Sequence, residues 1–340
     1  MRRVTVLGAG SWGTALAVHL GRVGHHVHLW ARDRALAEDM MVRRANAIYL
    51  PDVTLPHAVT VTPAIDIALA ESELVVAAIP SHGFRTAMKA VAPHLSRGAV
   101  VVSAAKGLES ETLLRMSEVV AQEIGSRHPA VVLSGPSFAS EVAQELPTAV
   151  LAASADPAAT ELVQAEFRGP TFRLYASDDV VGVEIGGALK NIIAIAAGVV
   201  EGLGLGHNAL AALITRGLAE VSRLACAAGG RRETLAGLSG LGDLVLTCTG
   251  TLSRNRHVGI ELARGRSLHD ILAGMKMVAE GVRTTSAALA LGRRYDVELP
   301  ITAQMAEVLE GRTDVRAAIG ALMLRPQRAE ADESGDRVIG

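Results

Sequence analysis

Cysteine is scarce in this 340-residue chain, with Cys226 and Cys248 the only two. A disulfide framework and a cysteine-built metal centre are thereby excluded, and such sparing use in a long chain fits a reducing cytoplasm. An excess of one charge is also missing, since 33 Lys and Arg face 35 Asp and Glu. No overall charge recruits nucleic acid or an anionic membrane, so any anion binding must be local. An uninterrupted apolar run of the roughly 18 to 20 residues that a spanning helix needs is absent as well. The most apolar stretch, Val180 to Leu205, is broken by Glu184, Lys190, Asn191 and several glycines. The opening MRRVTVLGAG resembles a signal peptide for a few residues only, before glycines and Trp12 interrupt it. No internal repeat and no low-complexity linker is present.

What remains is a globular chain, 49% hydrophobic, with room for two ordinary domains. Residues 3–7, 27–30, 74–79, 99–103 and 130–133 read as buried strands, and 12–23, 34–46, 82–95 and 111–124 carry helical spacing between them. Such alternation predicts right-handed crossovers and a parallel, doubly wound sheet with its ligand beyond the carboxyl ends of the strands. Two more strands, 149–153 and 171–175, flank a helix at 157–167 and extend that sheet. After Asp178 the pattern becomes Ala, Leu, Gly and Ile at helical spacing, so the second domain is expected to be all helical. There Asn208 is expected to cap a helix that Gly229 and Gly230 stop. The boundaries read as 1–178, 179–326 and a polar tail at 327–340 that is expected to be disordered. The long 180–205 helix is expected to join the two domains directly.

Gly8, Gly10 and Gly13 form a G-x-G-x-x-G directly after a strand and at the opening of a helix. In a dinucleotide site the first glycine permits the turn, the second lets pyrophosphate approach the main chain and the third lets helix and strand pack. Cofactor choice falls to Arg32 and Asp33 after the second strand. An acid there holds the ribose hydroxyls of NAD, and an arginine accepts the 2′-phosphate of NADP. Arg32 is nearer the strand end and Asp33 reads as a helix N-cap, so NADP(H) is favoured over NAD(H).

Lys190 stands in the middle of the apolar 180–205 run. Burying an unpaired ammonium is costly, so the group either snorkels to water, finds a partner, or shifts its pKa down and becomes useful for proton transfer. From the helix alone snorkelling is the plainer reading, and other stretches argue against it. Lys106 and the Ser134-Gly135-Pro136-Ser137 turn follow strands and so lie at the edge where ligands bind. Asp243 sits in a glycine-rich bend. Ser253, Arg254 and Asn255 open a helix, where free amides and a guanidinium suit an oxyanion.

Together GAGSWGTALA, AAIPSH, SAAKGLE, LSGPSFA, GALKNIIAIAAG, GLGDLVLTCTG, SRN and VAEGVRT make the chain resemble the bacterial NAD(P)-dependent glycerol-3-phosphate dehydrogenases nearly throughout, to Pro326. The resemblance implies a Rossmann-type domain followed by a helical one, and reduction of dihydroxyacetone phosphate to sn-glycerol 3-phosphate for glycerophospholipid synthesis. It implies that Lys190 is the proton donor and acceptor. Lys106, Gly135, Ser137, Asp243, Ser253, Arg254 and Asn255 match substrate-binding positions, with Lys106 and Arg254 also near the cofactor. Ser11, Trp12, Arg32, Ala139, Val278 and Glu280 match cofactor-binding positions.

The chemistry agrees with those roles. Hydride addition to a ketone creates alkoxide charge that an ammonium can neutralise. The apolar helix, Lys106 and an oxidised nicotinamide lower the pKa of Lys190, whereas Asp243 raises it, so a compromise value is expected. Two competing readings are a related β-hydroxyacid dehydrogenase with a carboxylated substrate and a non-catalytic nucleotide-binding redox sensor. No metal, nucleic acid or membrane insertion is expected. The helical half, rich in Ala and Gly, offers surfaces for a homodimer.

Overall fold

The computed structural model describes residues 1–275, 277–327 and 329–330. Of the tail expected at 327–340, all but Gln327, Ala329 and Glu330 lie outside the described residues. Ten strands precede the helical half: β1 (Arg3–Leu7), β2 (His26–Trp30), β3 (Ala45–Asn46), β4 (Leu50–Thr54), β5 (Val59–Thr62), β6 (Leu74–Ala77), β7 (Val100–Ser103), β8 (Ala130–Ser134), β9 (Thr148–Ala153) and β10 (Phe172–Ser177). Eight of them form one sheet in the order β10-β9-β8-β7-β6-β1-β2-β5, and β3 pairs β4 separately. The reversal of strand order at β1 and β6 is the switch point at which a doubly wound sheet opens its ligand crevice. The β1 and β6 residues are almost wholly buried, as the Val-rich runs of a sheet covered on both faces must be.

Four expectations need correction. The sheet is not parallel throughout, because β8 and β9 pair antiparallel; a short apolar run has the same composition in either direction. Strand β5 was not foreseen, nor was the β3–β4 hairpin, since Pro51, Pro56 and Pro63 make this region read as loop. The helix expected at 111–124 begins at Met116, because Leu113 adopts φ 63°, outside the right-handed helix region. Asn208 does not cap its helix, which starts at Gly206 with Leu205 in the cap position.

The helical half is built around Val180–Gly202, in which every residue from Gly182 to Val200 is buried. Despite Glu184 and Lys190 this helix has the length and hydropathy of a membrane span, yet nearly all of it is enclosed by protein. Asp179 caps it by accepting from the Gly182 amide at 2.8 Å. Helix Arg254–Ala263 crosses it with the two backbones nearly touching. A Cβ on Gly259 would lie 1.9 Å from the Ile195 carbonyl oxygen, and one on Gly198 1.9 Å from that of Arg256. Only glycine fits there, and this approach brings the start of the second helix beside Asn191, one residue past Lys190: the Asn255 amide donates to Asn191 Oδ1 at 2.9 Å.

Candidate active site

The three fingerprint glycines meet three different surroundings. Gly8 has φ 103°, and a Cβ on it would come within 2.7 Å of the Ala78 carbonyl, so it makes the turn. A Cβ on Gly13 would lie 1.8 Å from the Gly8 carbonyl, so it permits the helix to pack on the turn. Gly10 has nothing within 4 Å of its Cβ position, leaving its main chain open to a ligand. Beyond it the helix Ser11–Arg22 presents its unpaired N-terminal amides, the arrangement that favours a pyrophosphate. The indole Nε1 of Trp12 is buried there and has no hydrogen-bond partner among the described residues. These features fit a dinucleotide.

At the end of β2, the Asp33 carboxylate accepts from the Ala35 and Leu36 amides at 2.9 and 3.3 Å and caps the helix Arg34–Arg43. Arg32 beside it is exposed. Ala139 is the first residue of the helix Ala139–Ala143. Across the crevice, Val278 is partly buried in the segment before helix Glu280–Arg294. Glu280 accepts from the Ser81 hydroxyl at 2.7 Å and the Ser81 amide at 3.3 Å, and Ser11 donates to the Met277 sulfur at 2.9 Å. These contacts bridge the sheet and the helical half.

The structure brings Lys106, Lys190 and Asp243 together. Lys190 Nζ donates to Asp243 Oδ1 at 2.5 Å and to Thr247 Oγ1 at 2.7 Å. Lys106 Nζ donates to Asp243 Oδ2 at 2.7 Å and to the Gly135 carbonyl at 2.7 Å, with Ser137 Oγ at 3.5 Å. Ser137 Oγ in turn donates to that same carbonyl at 3.0 Å. The π-helical turn Leu238–Gly242 ends where helix Asp243–Thr249 begins, so Asp243 enters from one side and the lysines from two others. Lys190 does not snorkel; its side chain is 9% exposed and that of Asp243 only 1%. Burial drives the Lys190 pKa down to about 8, against Asp243, which raises it, and with Lys106, which lowers it further. Nearby Cys248 is pushed up to about 12 by the same burial and stays a thiol.

The residues at the start of helix Arg254–Ala263 divide their work. Ser253 caps the helix, accepting from the Arg256 amide at 3.2 Å. Asn255, besides its bond to Asn191, accepts from the Gly281 amide at 2.9 Å. Both are buried and tied into the fold. Arg254 is solvent-exposed and forms no hydrogen bond or ion pair among the described residues, although crowding by protein lowers its pKa.

Thr247, Ser81 and Met277 were not singled out from the sequence. Thr247 had a legible signal: it lies four residues after Asp243 on a helix, hence on the same face. Ser81 lies in the AAIPSH motif just past β6, but neither it nor Met277 carries a local sign of its partner, which is far away in the chain.

Comparison with known proteins adds to this geometry. Residues 3–160 match the family described as NAD-dependent glycerol-3-phosphate dehydrogenase N-terminus, and residues 179–320 match its C-terminus counterpart. The chain is 53% identical over 334 residues to a glycerol-3-phosphate dehydrogenase (NAD(P)+) of Koribacter versatilis, covering 97% of this chain and 99% of the other. A protein of the same name from Geobacter sulfurreducens is 51% identical, covering 96% and 98%. The crystal structure of a glycerol-3-phosphate dehydrogenase from Coxiella burnetii superposes with a TM-score of 0.92 at 39% identity, covering 95% and 99%.

Proposed function

The chain belongs to the NAD-dependent glycerol-3-phosphate dehydrogenase family, and on that premise we propose that it reduces dihydroxyacetone phosphate to sn-glycerol 3-phosphate, with Lys190 delivering the proton. Residues 1–178 would hold the cofactor and residues 179–326 would supply most of the substrate site. The nicotinamide, when bound, supplies the hydride to the carbonyl carbon. The carbonyl oxygen gains the electron pair of its broken π bond and takes its proton from Lys190 Nζ; in the reverse direction Lys190 accepts it.

One observation carries the choice between the two lysines. An ammonium has three N–H donors. Lys106 directs its donors at Gly135, Asp243 and, at longer range, Ser137, whereas among the described residues Lys190 spends two, on Asp243 and Thr247. Lys190 thus keeps one donor for the substrate oxygen, and its pKa of about 8 suits proton transfer near neutrality. Lys106 holds Gly135, Ser137 and Asp243 in place and adds positive potential. Arg254 would anchor the phosphate, with the amides of the helix that Ser253 caps and Asn255 positions, so that binding energy remote from the carbonyl aligns it.

For the cofactor, Gly8, Gly10 and Gly13 would shape the pyrophosphate turn. Ser11, Trp12, Ala139, Val278 and Glu280 would line the crevice. Asp33 is occupied as a cap while Arg32 is exposed and forms no hydrogen bond or ion pair among the described residues, which favours NADPH. Such an enzyme would serve glycerophospholipid synthesis in a reducing cytoplasm.

Turnover is tested by following NADPH and NADH consumption with dihydroxyacetone phosphate, unphosphorylated dihydroxyacetone and a β-ketoacid. The expected result is oxidation that depends on the phosphate; preference for the carboxylated substrate would support the β-hydroxyacid reading. Arg32→Ala should weaken NADPH binding far more than NADH binding, and an equal effect would remove the NADPH preference.

A further inference from the structure

Glu184 is a buried carboxylate that the proposed chemistry does not use. It lies on the helix Val180–Gly202, six residues before Lys190, and only 4% of its side chain is exposed. Its partners belong to the other half of the molecule. Arg115 Nη1 donates to Oε2 at 2.9 Å, the Ser117 amide to Oε1 at 2.8 Å and the Ser117 hydroxyl to Oε2 at 2.5 Å. The carboxylate therefore takes up one of the free amides at the start of helix Met116–Glu123, that of Ser117, while Glu118 of the helix itself accepts from the Arg115 amide. A buried carboxylate is costly, and desolvation pushes the pKa of Glu184 up while Arg115 and Ser117 oppose the rise.

What this bond joins is specific. Arg115 closes the excursion that carries Lys106, since Leu108 bridges Arg115 and the Glu109 amide donates to the Leu114 carbonyl at 2.9 Å. Arg85 grips the same excursion with a two-pronged bond to Glu109, at 2.7 Å for each prong. At one end of this loop Lys106 reaches Asp243. At the other end Arg115 and Ser117 reach the Lys190 helix about 9 Å along its axis from Lys190. Polar bonds thus attach the loop to the helix side at two points, with Leu108 buried between them in the same apolar cluster as Ile185, Ala188 and Leu189, and of the two polar points only the Asp243 one would face the substrate.

We infer that Glu184 is a positioning residue: with Arg115 and Ser117 it clamps the Lys106 loop of the cofactor half to the Lys190 helix, and it keeps hydride source and proton donor in register while the Asp243 cluster rearranges around substrate. The inference rests on the reading of Lys190 as proton donor for one of the two groups it positions.

The test compares steady-state and isotope kinetics of the full-length enzyme, with NADPH and 4-deuterated NADPH. Glu184→Gln keeps the size of the side chain but removes the charge facing Arg115. It should lower kcat about tenfold or more, because a misplacement on the order of 1 Å can cost a hundredfold. The Kd for NADPH and the KM for dihydroxyacetone phosphate should stay within about threefold, and the deuterium effect on kcat should rise as hydride transfer becomes rate-limiting. Ser117→Ala, which removes one donor of three, should move the same quantities less, and it decides the matter should Glu184→Gln not fold. Wild-type kcat, or a loss of kcat that tracks lost cofactor affinity with no change in isotope effect, would overturn the clamp. Lys190→Ala measured alongside separates the two ideas: normal turnover there ends the proton-donor reading, while a raised isotope effect in Glu184→Gln still upholds the clamp.

Discussion

The two walls of the crevice are made of different material. On the cofactor side the proposed working parts are backbone: a turn that needs Gly8, an open main chain at Gly10 and a close approach at Gly13. On the helical side the proposed ones are side chains: Lys190, Asp243 and Thr247 bonded across two helices, and Arg254 at the start of a third. A backbone site depends on spacing within a few residues, whereas a side-chain site depends on the packing of whole elements. The two walls should therefore fail differently when altered.

The sharpest contrast is expected at Lys190. Removing it with Lys190→Ala should lower kcat by about a hundred- to ten-thousandfold, the range for loss of general acid catalysis. The Kd for NADPH, measured by fluorescence quenching, should remain near the wild-type value, since the cofactor wall is untouched. At the other end of the substrate, Arg254→Ala should raise the KM for dihydroxyacetone phosphate about ten- to a hundredfold, in line with a charge-assisted bond of roughly 1.5 to 3 kcal/mol. A KM unchanged by that substitution would place the phosphate elsewhere.

Glycine substitutions probe the two walls in opposite senses. Gly10→Ala has room in the structure, so thermal unfolding should be little altered while cofactor affinity falls. Gly259→Ala would drive a methyl group into the Ile195 carbonyl, and calorimetry should show a loss of about 1 to 3 kcal/mol or more. The smallest effect is expected at Asp33. There Asp33→Ala should cost about 1 kcal/mol as a lost cap and leave the NADPH-to-NADH ratio unchanged. A shift of that ratio toward NADPH would mean that the carboxylate also reads the ribose.

This division also explains what could be read from the chain before its structure. The glycine turn, the strand–helix alternation and the Asp33 cap are local patterns, and each was legible in residues a few places apart. Strand β5 was hidden by neighbouring prolines, and the antiparallel pairing of β9 left no mark on its composition. In the site, Lys190 stood out because a charge in an apolar helix demands an explanation. Its partner Thr247 was legible only through helical spacing from Asp243. Glu184 was noted as an interruption of the apolar run, but its bonds to Arg115 and Ser117, 69 and 67 residues away, belong to tertiary packing that no local pattern encodes.

The central claim is that Lys190, buried yet paired, is a proton donor whose pKa lies near 8. The pH dependence of kcat for reduction tests it most directly. The protonated form is the acid, so kcat should be sustained below about 8 and fall as the pH rises through that value, with the reverse reaction gaining over the same interval. A kcat for reduction that stays level from pH about 7 to about 10, with chemistry shown by isotope effect to be rate-limiting, would contradict the account.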